Sequence, residues 1–529
     1  MQSVARRIAG LLSVLLLSAH CAARRPALTS SQLADVSRAE ALVREGCYRC
    51  LQEAYEIYAA LAVRPSGLAV RGAFDVTLLL AVREKELGLP ADETVNRARA
   101  LLARLSPAPA SGRPQADLNP AVLLEAAEAI VGDLSGLDSD ERQRRSERLE
   151  QPDAAADANL QLQQTLLKIA TTSETAAYLA LAIDCEQPRN RRSIDQAALR
   201  TQAAGSPLIR YRAAICSDGQ PTSLTQLREA DSRWADTFFF EGRYEMGSPS
   251  RSPEPVRAAA LLTSASEAFP ESIAIHMMLA NTQELNGDFA AALASFDQIL
   301  AWKPAHVDAR LGRVRTLTYM ARADEAIKTA TELIDLGTWH VGDAYYWRAW
   351  NTYQTHRLEP AWADIQHAMR LRANTAVYAL AGSIAYARKD LDTAVGHFDR
   401  AFEMDSTNCP AVSSAGLVHV DQAAWQPAAE SFSKATNCFT LAASTARKEL
   451  TSLEQSALEP GLKARRISSA RKRIESGEEL AGQSALSAAQ SFVQSGQTRP
   501  ALDYIELAER HPATRDQALA LRARIAGTR

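Results

Sequence analysis

Seven cysteines and nine histidines are the residues of this 529-residue chain with the most chemistry to offer. The cysteines are Cys21, Cys47, Cys50, Cys185, Cys216, Cys409 and Cys438. Cys47-Tyr48-Arg49-Cys50 has the C-x-x-C spacing used by redox dithiols, zinc sites and haem attachments. A haem attachment wants His after the second Cys, where this chain has Leu51, and a zinc site wants a second ligand pair, which does not follow at a usable spacing. No strand–helix–strand pattern surrounds the motif, so the reading that remains is a local bridge or two packed thiols in a helical hairpin. The histidines are scattered singly. His276, His306, His340, His356, His367, His397 and His419 all fall between residues 234 and 438, at positions suited to ordinary polar roles.

The wider search for catalytic groups finds no Gly-x-Ser-x-Gly, His-Glu-x-x-His, Gly-x-x-x-x-Gly-Lys-Ser/Thr or Gly-x-Gly-x-x-Gly in the sequence. No cofactor and no metal is expected, and the chain reads as a non-enzyme. Nucleic acid is not an expected partner either, because 59 Lys+Arg against 62 Asp+Glu leave a net charge of −3 where a phosphate footprint needs a basic surplus. The basic run Lys463, Arg465, Arg466, Arg471, Lys472 and Arg473 has no interleaved aromatics, and the long helical pattern over 461–494 that carries it reads as a polar cap leading into a terminal repeat.

The elements that carry these residues begin with a targeting segment. Arg6 and Arg7 precede an apolar run over 8–19, too short to span a bilayer and suited to a signal sequence. Cys21 stands where that run ends, an arrangement that resembles a bacterial lipoprotein signal whose Cys is acylated. His20 departs from the small residue such signals carry there, and Cys21-Ala22-Ala23 offers ordinary cleavage instead. Both fates stay open. The expectation is an exported chain, in the periplasm or anchored in the bacterial envelope, with membrane contact only through a lipid on Cys21. No other segment reaches about 18 consecutive apolar residues.

Self-similarity organises most of the rest. Ala258, Ala292, Ala326, Ala361, Ala394 and Ala428 recur at a near-constant period of about 34 residues. Gly287-Asp288-Phe289 then Ala292, Phe296, Ile299 and Pro304 sets the pattern; Asp390 to Ala394 then Phe398 and Ala401, and Trp425 to Ala428 then Phe432 and Ala435, repeat it. Two antiparallel helices approach closely only where Ala or Gly occupies the crossing and an aromatic fills the gap beside it. This series resembles the tetratricopeptide repeat, clearly over 234–438. The resemblance implies an all-α fold, an α-solenoid of antiparallel helix pairs stacked into a superhelix. Around the regular array of 231–440, the expected organisation is a signal peptide over 1–23, a helical region with a degenerate repeat over 24–105, a Pro- and Ala-rich linker over 106–120, further degenerate helices over 121–230, and a long helix with a terminal repeat over 441–529. Residues 132–157 read as a charged, solvated helix face or loop.

In the family, helix A positions two, five, nine, twelve and thirteen line the groove, with the anchor Ala at position twenty. Carried over, the resemblance assigns Asp308, Leu311, Arg315, Thr318 and Tyr319 from one repeat, Asp343, Tyr346, Trp350, Tyr353 and Gln354 from the next, and Ser383 and Tyr386 from a third. Tyr, Trp and Arg are the types that dominate binding hot spots. The family's carboxylate clamp is not supported, since Asn281 has its place but Met277 stands where Lys is needed. The function implied is a non-catalytic scaffold that holds a peptide or protein partner in the envelope. The alternative is a helical lipoprotein with enzymatic or ligand-binding chemistry in 24–230.

The same frame puts Cys409 at position one and Cys438 at position thirty of one repeat, where antiparallel packing brings the opening of helix A to the close of helix B. A bridge there is expected. With Cys21 set aside, Cys47, Cys50, Cys185 and Cys216 complete an even set of candidates whose pairing stays open.

Overall fold

The computed structural model describes residues 28–62, 67–105, 119–131, 152–168, 170, 173–186, 206–216, 222–247, 253–456 and 460–527. Cys21, nearly all of the expected linker and the charged stretch before residue 152 lie outside them. The described residues form 24 helices and no strand, and none of these helices is long and apolar enough to cross a membrane. The chain divides into two units, 1–288 and 289–529.

The first unit carries α1 (Ser30–Glu45), α2 (Tyr48–Leu61), α3 (Gly67–Glu86), α4 (Asp92–Arg104), α5 (Pro120–Val131), α6 (Pro152–Leu167), α7 (Glu174–Glu186), α8 (Pro207–Cys216), α9 (Thr222–Ala230), α10 (Thr237–Glu245), α11 (Pro255–Ala268) and α12 (Ile273–Leu285). α3 organises it. Its sequence is apolar on nearly every side, so it is buried from Val76 through Arg83, with α2, α4, α5 and α7 packed around it. Tyr178, Tyr211 and Trp234 complete the same core, which runs on through Phe239, Leu262 and Ile275. That continuity places α10 and α11 with the irregular helices, although the sequence groups them with the regular array; the division falls at Asp288.

The second unit carries α13 (Phe289–Trp302), α14 (Val307–Tyr319), α15 (Ala323–Asp335), α16 (Val341–Gln354), α17 (Leu358–Leu371), α18 (Thr375–Ala387), α19 (Leu391–Met404), α20 (Cys409–Asp421), α21 (Trp425–Gln455), α22 (Pro460–Gln494), α23 (Thr498–Glu509) and α24 (Arg515–Gly527). Consecutive helices pack as pairs and α14, α16 and α18 also touch in series, the α-solenoid arrangement. All six anchor alanines are wholly buried, as are Ala265, Ile299, Leu333, Ala368, Ala401 and Ala435, each two helical turns further on. At the crossings of α18 with α19 and of α20 with α21, Gly382 faces Phe398 and Gly416 faces Phe432. A Cβ there would stand 2.7 and 2.8 Å from the ring, so only glycine lets the phenyl groups lie in the gap.

Two further periodic devices shape the helices. Ser272, His306, His340, Asn374 and Asn408, spaced by one repeat length, each precede a helix A, and four accept a hydrogen bond from the backbone N–H three positions on. The turn between helices A and B needs a left-handed residue; Ala321, His356, Lys389 and Ala423 fill it with φ of 57°, 58°, 66° and 56°. Helix B of the last regular repeat does not stop near residue 440. It continues to Gln455 and pairs with α22, so the expected boundary at 440 lies inside one helix. Small residues make that pairing close: a Cβ on Gly477 would lie 3.1 Å from that of Ala443.

Candidate functional site

The expected groove residues lie on α14, α16 and α18. Tyr319, at the end of α14, is 51% exposed and stands in a row of rings: 5.3 Å from Phe289, 6.1 Å from Trp347. Tyr346 continues it, edge-on to Trp347 at 5.1 Å and 6.4 Å from Trp350. Tyr346, Trp350 and Tyr353 are half-buried against Ala349, Ala361, Ile365 and Leu380, so these three also hold repeats together. Burial raises the Tyr346 phenol above its ordinary range. Gln354 is exposed, while Leu311, Arg315 and Thr318 are half-buried.

The polar members are already engaged. Thr318 Oγ1 accepts from Asn351 Nδ2 at 2.7 Å, Ser383 donates to the Ala379 carbonyl at 3.0 Å, and Tyr386 donates to Asp421 Oδ2 at 2.8 Å. Asp308 and Asp343 are held by His340, which stands in the capping place yet makes no cap. Its Nδ1 lies 2.9 Å from Asp343 and its Nε2 3.4 Å from Asp308, while Arg372 also donates to Asp343. Hydrogen bonds to Asp308 and then Asp343 push the imidazole up to about 9, so it is charged at neutral pH. The structure thus joins Asp308 and Asp343 through a histidine that sequence reading placed among ordinary polar residues. The periodic series of capping positions is the signal that could have found it.

Of the cysteines, Cys409 and Cys438 are bridged with Cα atoms 5.5 Å apart, as their repeat positions lead one to expect. Cys47 and Cys50 are bridged to each other, which settles the C-x-x-C as a local disulfide. Cys185 is disulfide-bonded as well, and the side chain of Cys216 lies outside the described residues. Among the described residues one group combines sulfur with nearby carboxylates, Glu45, Cys50 and Asp231, whose donor atoms all lie within 4.8 Å of one another.

The sequence profile of the tetratricopeptide repeat matches residues 285–347. No curated protein matches the chain. Among solved structures, it is similar to YrrB, a tetratricopeptide-repeat protein with an unusual peptide-binding site, at 22% identity over 34% of this chain and 93% of that one, with a TM-score of 0.29. It is also similar to the C-terminal part of a repeat protein from Cytophaga hutchinsonii, at 13% identity over 55% and 98% of the two chains and a TM-score of 0.37. A third is TTC0263 from Thermus thermophilus, at 14% identity over 35% and 99% and a TM-score of 0.30. The profile falls on the repeats whose anchor alanines are buried in phase, and the same period and the same buried positions run on to Cys438. The chain carries tetratricopeptide repeats.

Proposed function

We propose that the chain is a non-catalytic scaffold whose helix A layer in residues 307–421 holds a peptide or protein partner. The observation that supports this is the ring row that runs through Tyr319, a half-exposed tyrosine between Phe289 and Trp347, in a set of positions where Gln354 is exposed and Arg315 half-buried. Aromatic side chains of this kind give large contact area at low entropic cost. The N-terminal apolar run and Cys21 support export, with either an acyl anchor on Cys21 or cleavage after Ala23.

The test is cross-linking in intact envelopes from a photoreactive residue at position 354, with Tyr319→Ala as the challenge. A discrete adduct that Tyr319→Ala weakens by about tenfold, on the order of 1.4 kcal/mol, supports the groove. Unchanged cross-linking in a variant of normal helicity removes it. Mass spectrometry of the native N-terminus reads the export claim separately: a retained Met1 overturns it.

A further inference from the structure

The C-x-x-C lacks a second ligand pair in sequence, yet the fold supplies one. Asp231 lies far beyond Cys50 along the chain and Glu45 closes α1, and their carboxylates meet the Cys50 sulfur within 4.8 Å. Cys47 is bridged to Cys50, so its sulfur is one bond from that group. Three donors, one sulfur and two carboxylates, therefore meet, with the second sulfur bonded to the first.

The sulfurs are wholly buried, while Glu45 and Asp231 are 41% and 28% exposed, so the carboxylates form the entrance and the sulfurs the floor. The loop is held from both sides. Gly46 lends its carbonyl to Arg83 Nη2 at 2.8 Å and the Tyr48 N–H donates to Asp236. Cys47 caps α2, its sulfur accepting from the Cys50 N–H at 3.0 Å, the contact that stabilises a thiolate at a helix N-terminus. A cation already stands between the carboxylates: Arg233 Nη2 is 2.6 Å from Glu45 and 2.7 Å from Asp231.

We propose that Cys47, Cys50, Glu45 and Asp231 form a site for a divalent cation of the zinc class, closed by the disulfide and opened by its reduction. A dithiol reductant delivers two electrons and two protons, breaks the Sγ–Sγ bond and leaves as its own disulfide. The freed sulfurs are then thiols, which the two neighbouring carboxylates keep protonated until a divalent cation neutralises the site. Binding the cation releases the two thiol protons. Two thiolates with two carboxylates suit a tetrahedral, borderline-soft ion better than calcium or magnesium, which take oxygen alone. The disulfide and the metal-bound dithiolate are thus alternative closed states of one loop.

Cobalt(II) is the probe, added anaerobically to full-length protein before and after reduction. Reduced wild type is expected to bind one equivalent with a sulfur-to-cobalt charge-transfer band, and oxidised protein to show none. Asp231→Asn and Glu45→Gln, changes at partly exposed side chains, are expected to weaken binding tenfold or more, and Cys50→Ser to abolish the band. Arg233→Ala, by freeing both carboxylates, is expected to tighten it. A band that Asp231→Asn leaves untouched overturns the proposal, because cobalt is then held by thiols of a reduced loop or unfolded chain without the fold's carboxylates. A band that survives in Cys50→Ser overturns it equally, and a Cys50→Ser variant that fails to fold leaves the two carboxylate variants to decide.

Discussion

Arg83 and Asp236 are 153 residues apart in sequence and 2.6 Å apart in the fold, and neither side chain reaches solvent. The guanidinium carbon also lies 3.5 Å from the centre of the Tyr211 ring, and the same side chain holds the Gly46 carbonyl. Desolvation raises the Asp236 carboxyl to about 6, with Arg83 pulling the other way. Removing one partner of a buried pair leaves the other charge uncompensated, so Asp236→Ala is expected to cost about 3–5 kcal/mol. Replacing both, as Arg83→Met with Asp236→Leu, is expected to cost less than Asp236→Ala alone. Urea unfolding followed at Trp234 checks the order, and hydrogen exchange at residues 46–50 is expected to quicken most.

Two helical glycines separate packing from propensity. Gly396 in α19 has nothing within 4 Å of a built Cβ, so Gly396→Ala is expected to raise stability by about 1 kcal/mol. Gly382 faces Phe398 at 2.7 Å, and Gly382→Ala is expected to lower it by about 1–3 kcal/mol by overpacking the crossing. Parallel thermal melts of the two variants read opposite signs.

The four left-handed turn residues carry backbone strain that glycine would relieve. Ala321→Gly, Lys389→Gly and Ala423→Gly are each expected to stabilise by roughly 0.5 kcal/mol, the left-handed penalty less the entropy glycine loses on folding. Gly496→Ala, at φ 78° with open space around it, is expected to cost about 1 kcal/mol. Denaturant midpoints at constant slope measure both.

His340 gives the repeats a defined response to pH. Its folded value of about 9 lies above its ordinary 6.5, with Asp308 and Asp343 as its acceptors and Arg372 the competing cation on Asp343. The stabilisation is complete below about pH 6.5 and disappears as pH rises through 9. Wild type is expected to exceed His340→Gln by on the order of 2 kcal/mol at pH 6, with the gap closing by pH 10. Urea midpoints at the two pH values check it.

Much of the second unit is legible in the sequence, because each repeat solves the same packing problem within its own length. Ala326, Ala361 and Ala394 are small for a reason that recurs at a fixed offset, and burial follows the offset. Cys409 and Cys438 were legible through the same frame, since a bridge between positions one and thirty is local to one helix pair. The groove was legible only as a set of positions. That Tyr346 and Trp350 also pack between repeats, and that His340 ties Asp308 to Asp343, depends on side-chain directions that spacing does not carry. Before Ala258 the first unit has no regular period to read. Its ion pair of Arg83 with Asp236 and its meeting of Cys50 with Asp231 join residues distant in the chain, and only the packing of α1, α2 and α3 against the segment between α9 and α10 decides that they touch. Local pattern records what a residue needs from its neighbours in the chain, whereas a contact across such distances is set by how whole helices are laid together, for which no single residue type is a signal.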